Sequence, residues 1–148
     1  MALAAALVLP GCQDDPPQSC GPSQAAFSVT LKTSDGPLPE DTLLIVSHGA
    51  GKVEFDLDGD CLVSDVMYCT PHNRACDDPQ DAADWDGSAG PPPVDELVCE
   101  LWTDGAARVT VTASGYAKLE QVLEAKSNGS CIETRDVELM LKRADGGR

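Results

Sequence analysis

The chain has 148 residues, and 25 Asp and Glu against 10 Lys and Arg give it a formal net charge of -15. This charge excludes a nucleic-acid binder, because no basic stripe is present to neutralise phosphates. It also disfavours adsorption to anionic lipid through charge. The length fits one domain, and a hydrophobic fraction of 42% is too high for a wholly disordered chain.

An uninterrupted apolar run occupies residues 2–9. It is about half the roughly 20 residues that a membrane-spanning helix needs, and it is typical of the apolar core of a signal peptide. The next residues, Leu9-Pro10-Gly11-Cys12, resemble the lipobox of bacterial lipoproteins. The resemblance implies that residues 1–11 are a signal peptide and that Cys12 is the first mature residue and carries the lipid. The alternatives are a mis-translated leader and a buried apolar N-terminal segment.

A lipidated Cys12 would place the protein in a bacterial cell envelope, at the outer membrane or the periplasmic face, with the membrane as its partner through the anchor. Acyl chains contribute about 0.8 kcal/mol per buried methylene, so more than one chain anchors a protein firmly. Residues 12–23 are rich in Pro, Asp and Gln, a composition that favours a solvated, extended tether.

From residue 24 onward, short segments of alternating apolar and polar residues predict β-strands. Turn signals such as Asp-Gly and Asn-Gly separate them. Segment 117–126 fits either a helix or a strand, and its hairpin context favours a strand. The predicted strands lie near residues 27–32, 42–47, 53–58, 64–69, 96–102, 108–113 and 134–142.

Residues 70–93 hold five aspartates and five prolines without any periodicity. We predict one long acidic loop there, solvated and held open by charge repulsion. Trp85 stands among these acids and is a candidate contact for a protein partner.

Seven or eight short strands with regular turns predict an all-β fold. The expected architecture is an antiparallel β-sandwich of about seven strands, transthyretin-like or Ig-like, over residues 24–142. The polar tail, residues 143–148, is expected to be frayed.

Ala107-Arg-Val-Thr-Val-Thr-Ala-Ser-Gly-Tyr resembles the late strand and Gly-Tyr turn of carboxypeptidase-regulatory-like domains, which are small transthyretin-like sandwiches. The layout, with Cys99-Glu-Leu-Trp102-Thr103 before that strand, is also similar to myxobacterial lipoproteins of uncharacterised function. These resemblances imply a fold and a compartment, and they imply no chemistry.

Acidic residues recur at alternate positions in the segment that ends in Asp58-Gly59. Glu54, Asp56, Asp58 and Asp65 match part of the spacing of an EF-hand calcium loop. Two features argue against a calcium site. The residue at the first position is the longer Glu, and no amphipathic helix flanks the segment. The alternation with apolar residues already explains these acids as the solvated face of a strand, so we expect no metal and no cofactor.

Seven cysteines leave one unpaired in an exported protein, and acylation of Cys12 accounts for the odd one. Six cysteines allow 15 connectivities, of which we predict only Cys69–Cys76. His72 lies between these two, but a small disulfide loop is favoured over a zinc site in an oxidising compartment. The six candidates are Cys20, Cys61, Cys69, Cys76, Cys99 and Cys131.

The sequence carries no G-x-S-x-G, H-E-x-x-H, Walker or C-x-x-C motif. We therefore expect no enzyme but a non-catalytic binding or structural module on a lipid anchor, with an unidentified protein partner. The alternatives are a calcium-dependent adhesin-like module and an accessory domain of a secreted enzyme.

Overall fold

The computed structural model describes residues 24–58, 64–71, 93–128 and 131–144. These residues form strands and turns, with no helix among them. The ten strands are β1 Phe27–Thr33, β2 Leu43–His48, β3 Gly51–Asp56, β4 Met67–Pro71, β5 Leu97–Leu101, β6 Ala107–Thr112, β7 Leu119–Leu123, β8 Lys126–Asn128, β9 Cys131–Glu133 and β10 Arg135–Leu141.

The strands build two four-stranded sheets and a small hairpin. The first sheet has the order β10-β1-β5-β4 and the second the order β3-β2-β6-β7, while β8 pairs with β9 alone. The predicted all-β sandwich is confirmed, and the described residues form ten strands rather than about seven. The additional strands arise because segment 117–126 divides into β7 and the start of a hairpin of three-residue strands.

One pair of strands departs from the antiparallel prediction. β1 runs parallel to β10, with Phe27 opposite Arg135 and Thr33 opposite Leu141. Parallel neighbours require a crossover connection, and here nearly the whole domain, including the second sheet, is that connection. Hairpin signals report only on strands that are close in sequence, so they carry no information about this pair.

Alternation along the strands explains the core. In β1 the buried residues Phe27, Val29 and Leu31 alternate with partly exposed ones, and β10 repeats the pattern with Val137, Leu139 and Leu141. The second sheet contributes buried side chains from β2, β3 and β6 to the same cluster. One face of each sheet therefore meets the other sheet, and the opposite face meets solvent.

The sandwich has two ends with different contents. We call the end where β1 begins the N-terminal pole; Phe27 there lies opposite both Arg135 of β10 and Leu101 of β5. We call the opposite end the distal pole; it holds the connection from β1 to β2 and the turn from β6 to β7. Pro71 and Leu97, which flank the connection from β4 to β5, are paired at the distal pole.

Candidate functional site

A polar cluster joins three separate parts of the chain at the distal pole. The carboxylate of Asp35, after β1, accepts a 2.9 Å hydrogen bond from the hydroxyl of Tyr116, which follows the β6–β7 turn. It also accepts a hydrogen bond and ion pair from Nε of Arg143. The guanidinium carbon of Arg143 lies 5.6 Å from the centroid of the Tyr116 ring, within the range of a cation–π contact.

Backbone contacts support the same cluster. Tyr116 and Arg143 form an isolated antiparallel bridge. The amide of Ala117 donates to the carbonyl of Lys142 at 2.9 Å, and the amide of Ala144 donates to the carbonyl of Gly115 at 3.0 Å. The expectation of a frayed tail is therefore wrong for Arg143 and Ala144, because both are bonded to the β6–β7 turn.

A second carboxylate at this pole fixes the start of the β6–β7 turn. Asp41 accepts hydrogen bonds from the backbone amide of Ser114, at 3.1 and 3.2 Å to its two oxygens, and a further one from the Ser114 hydroxyl. Gly115 follows with φ of 80°, a left-handed conformation that glycine adopts without steric cost. The Ser-Gly-Tyr sequence thus forms a turn held from both sides.

These contacts shift both acids in the same direction. Hydrogen bonds from Arg143 and then Tyr116 lower the pKa of Asp35 below its ordinary value. Hydrogen bonds from the Ser114 side chain and backbone lower the pKa of Asp41. Both carboxylates are stabilised as anions by hydrogen bonds from other groups of the chain. The cluster therefore holds the three segments together.

The sequence indicated the turns that carry this cluster, but it did not indicate that their side chains are in contact. Asp35-Gly36 and Ser114-Gly115-Tyr116 were identifiable as turns, yet the tyrosine lies 81 residues from Asp35 and the arginine 108 residues from it. No local pattern reports contacts over such separations.

The predicted pairing of Cys69 with Cys76 is wrong, because Cys69 is bonded to Cys99, 30 residues away, with an S–S distance of 2.03 Å. The two cysteines lie directly opposite each other on β4 and β5. Their Cα atoms are 4.1 Å apart, near the roughly 4.5 Å of the closer pairs in an antiparallel ladder. Both side chains are fully buried. Cys131, on β9, is also disulfide-bonded.

The calcium candidates do not converge. Glu54 and Asp56 lie on the exposed face of β3, on either side of the buried Phe55. Glu54 is paired with Lys52, and Asp56 accepts a 3.1 Å hydrogen bond from the amide of Asp58. Asp65 is exposed in the segment before β4.

Across the four described ranges, no group of three or more His, Cys, Asp and Glu side chains could hold a metal ion. Glu54 and Asp56 are on the solvated face of β3, and Asp58 follows in the turn after it. The remaining predicted site residues, Cys12, Cys20, Cys61, Cys76 and Trp85, lie outside the described residues, as does most of the acidic segment.

Comparison of the chain with protein-family models, curated proteins and solved structures gave no match. Among the residues that the structure describes, no helix has the length and apolar character needed to cross a membrane.

Proposed function

We propose that this chain is a bacterial lipoprotein, anchored through Cys12 in the cell envelope, whose β-sandwich is a non-catalytic binding or structural module. The observation that carries the proposal is the sequence Leu9-Pro10-Gly11-Cys12 at the end of an apolar run. It stands thirteen residues before Ala25, which is packed against the sandwich. That arrangement suits a folded module joined to an acylated cysteine by a short polar segment.

The cysteines support an extracytoplasmic compartment. Disulfides form and persist in oxidising environments and are rare in the cytosol, and the chain has a buried Cys69–Cys99 bond as well as a bonded Cys131. Assigning Cys12 to the lipid leaves an even number, six, for pairing.

A non-catalytic role is favoured by what the polar groups of the distal pole do. Asp35 and Asp41 are occupied by Arg143, Tyr116 and Ser114, so they hold the connections together. The local layout is a Val-x-Val strand that runs into a Gly-Tyr turn, followed by β7, the β8–β9 hairpin and the closing strand β10. Apart from the hairpin, this order resembles that of a carboxypeptidase-regulatory-like, transthyretin-like module.

Metabolic labelling with a palmitate analogue tests the anchor. Wild-type protein expressed in a bacterium with lipoprotein-processing enzymes should take up label and fractionate with membranes. The Cys12→Ser protein should do neither, and a Cys20→Ser protein is the matched control that should label normally. Equal labelling of the wild-type and Cys12→Ser proteins would contradict the proposal.

A further inference from the structure

We propose that the N-terminal pole of the sandwich docks on the headgroup region of the lipid bilayer through apolar side chains of β7 and the β8–β9 hairpin. The inference rests on the proposed lipid anchor at Cys12. It assigns the sandwich a defined orientation in which the distal pole points away from the membrane.

The point at which the chain enters the fold is the first support. Ala25 and Ala26 are buried at the N-terminal pole. The amide of Ala26 donates to the carbonyl of Leu101 at 2.7 Å, its carbonyl accepts from the amide of Arg135 at 3.0 Å, and the Thr134 hydroxyl donates to the carbonyl of Ala25 at 2.7 Å. The chain is thus fixed to this pole from Ala25 onward.

The length of chain outside the fold is the second support. Thirteen peptide links separate Cys12 from Ala25, and they span at most about 45 Å. β1, with seven residues, extends the sandwich by about 20 Å between its poles. Contact of the distal pole with the bilayer would require the chain to run back along the whole sandwich, whereas the N-terminal pole is where the chain already arrives.

The third support is the position of the exposed apolar side chains. Among the described residues, the large hydrophobic side chains that are exposed are Val122, at 52%, and Ile132, at 36%. Val122 lies opposite Arg108 near the start of β6, next to the pair of Ala107 and Leu123 that ends the β6–β7 ladder. Ile132 lies three residues before Arg135, which is at the N-terminal pole. Both exposed hydrophobic residues therefore belong to the pole that the anchored chain enters.

The charges around this pole suit a zwitterionic surface rather than an anionic one. Arg108 at this pole binds Glu120 at 2.7 Å, and Lys126 lies opposite Glu133 in the register of the hairpin. Arg135 donates a 3.1 Å hydrogen bond to the backbone carbonyl of Glu124. The whole chain carries a net charge of -15, so anionic headgroups would repel it. The apolar contact must supply the attraction, as it does for other interfacial elements.

Hydrogen exchange on vesicles tests the orientation. Lipidated full-length protein is reconstituted in phosphatidylcholine vesicles, and the Cys12→Ser protein mixed with the same vesicles is the reference. We expect amide exchange across residues 119–128 and 131–133 to slow by about fivefold or more on docking, with no change in residues 35–41 at the distal pole. Replacing Val122 and Ile132 with serine should abolish the slowing while the protein still floats with the vesicles.

A matched control and three contrary outcomes make the test decisive. The distal double variant Lys118→Ser/Lys142→Ser should behave as the wild type. If the wild-type protein floats but its exchange is unchanged, the docking is refuted and the anchor stands. If the wild-type protein neither floats nor labels, the anchor fails and the docking falls with it. Slower exchange on phosphatidylglycerol than on phosphatidylcholine vesicles would indicate an electrostatic contact and overturn the proposal. Slower exchange without vesicles as the protein concentration rises would indicate contact with a second copy of the chain and overturn it as well.

Discussion

Simultaneous replacement of Cys69 and Cys99 by alanine should lower the free energy of unfolding by about 3.5 kcal/mol. The bond joins residues 30 apart in sequence, and the entropy lost by closing a loop of that size in the unfolded chain corresponds to about 3.5 kcal/mol at 25 °C. Urea denaturation followed by far-UV circular dichroism measures the change. The m-value should rise, because the unfolded chain without the cross-link exposes more surface.

The Thr70→Ala/Val98→Ala double variant is the matched control, because these residues lie opposite each other in the same β4–β5 ladder. A cross-strand pair without a covalent bond contributes roughly 0.2–1 kcal/mol, so the control should lose about that much. A cysteine double variant within about 1 kcal/mol of the wild type would refute the entropic reasoning. A non-reducing digest that links Cys69 to Cys76 would refute the pairing itself.

Three further measurements examine the core, the distal cluster and the acidic strand face. Phe55→Ala should cost about 3–5 kcal/mol in urea unfolding because the ring is buried, whereas the neighbouring Glu54→Ala should change stability by under about 0.5 kcal/mol; equal effects would mean that the strand faces are assigned wrongly. Asp35→Asn should lower the melting temperature at pH 7. The difference between the variant and the wild type should shrink as the pH falls below the ordinary pKa of an aspartate. The lowered pKa of Asp35 means that its carboxylate stabilises the fold above the ordinary value of 3.8 and loses that effect as pH falls through the folded-state pKa. A gap between the Asp35→Asn and wild-type melting temperatures that stays constant down to pH 2 would contradict this sign. Added calcium or EDTA should leave the melting temperature within about 1 °C of its starting value, and a rise that saturates with calcium would restore the metal site.

What the sequence predicted well is local. Segments in which apolar residues alternate, such as 27–32 and 134–142, became strands within a residue or two of their predicted bounds. The strand predicted at 64–69 lies instead at Met67–Pro71. Alternation is a property of neighbouring residues, and a strand half-buried in a sandwich imposes it directly. Segment 117–126 fitted a helix or a strand, and the favoured strand is confirmed, because β7 and the start of β8 lie there. β7 pairs with β6, while Asn128 is paired with Cys131 in the separate β8–β9 hairpin.

What the sequence did not reveal depends on residues far apart in the chain. The parallel pairing of β1 with β10 and the bond between Cys69 and Cys99 arise from the order of strands in the sheet. The short spacing from Cys69 to Cys76 favoured a local loop, but a cysteine at an inward position of one strand is placed to bond an inward cysteine of the neighbouring strand. Register decides the partner here, and register is fixed only when the whole sheet is assembled.

The disulfide lies close to the point where the long acidic connection leaves and re-enters the sheet. Cys69 and Cys99 lie one inward position inside the pair of Pro71 and Leu97, between which the chain leaves and re-enters the sheet at the distal pole. The covalent bond therefore holds β4 against β5 independently of what the intervening residues do. Each doubling of the length of a loop adds only about 0.6 kcal/mol to the entropic cost of closing it. A long connection between β4 and β5 therefore costs the fold little more free energy than a short one. The chain enters the sandwich at Ala25 and Ala26, at the pole opposite the pair of Pro71 and Leu97 between which this connection begins and ends.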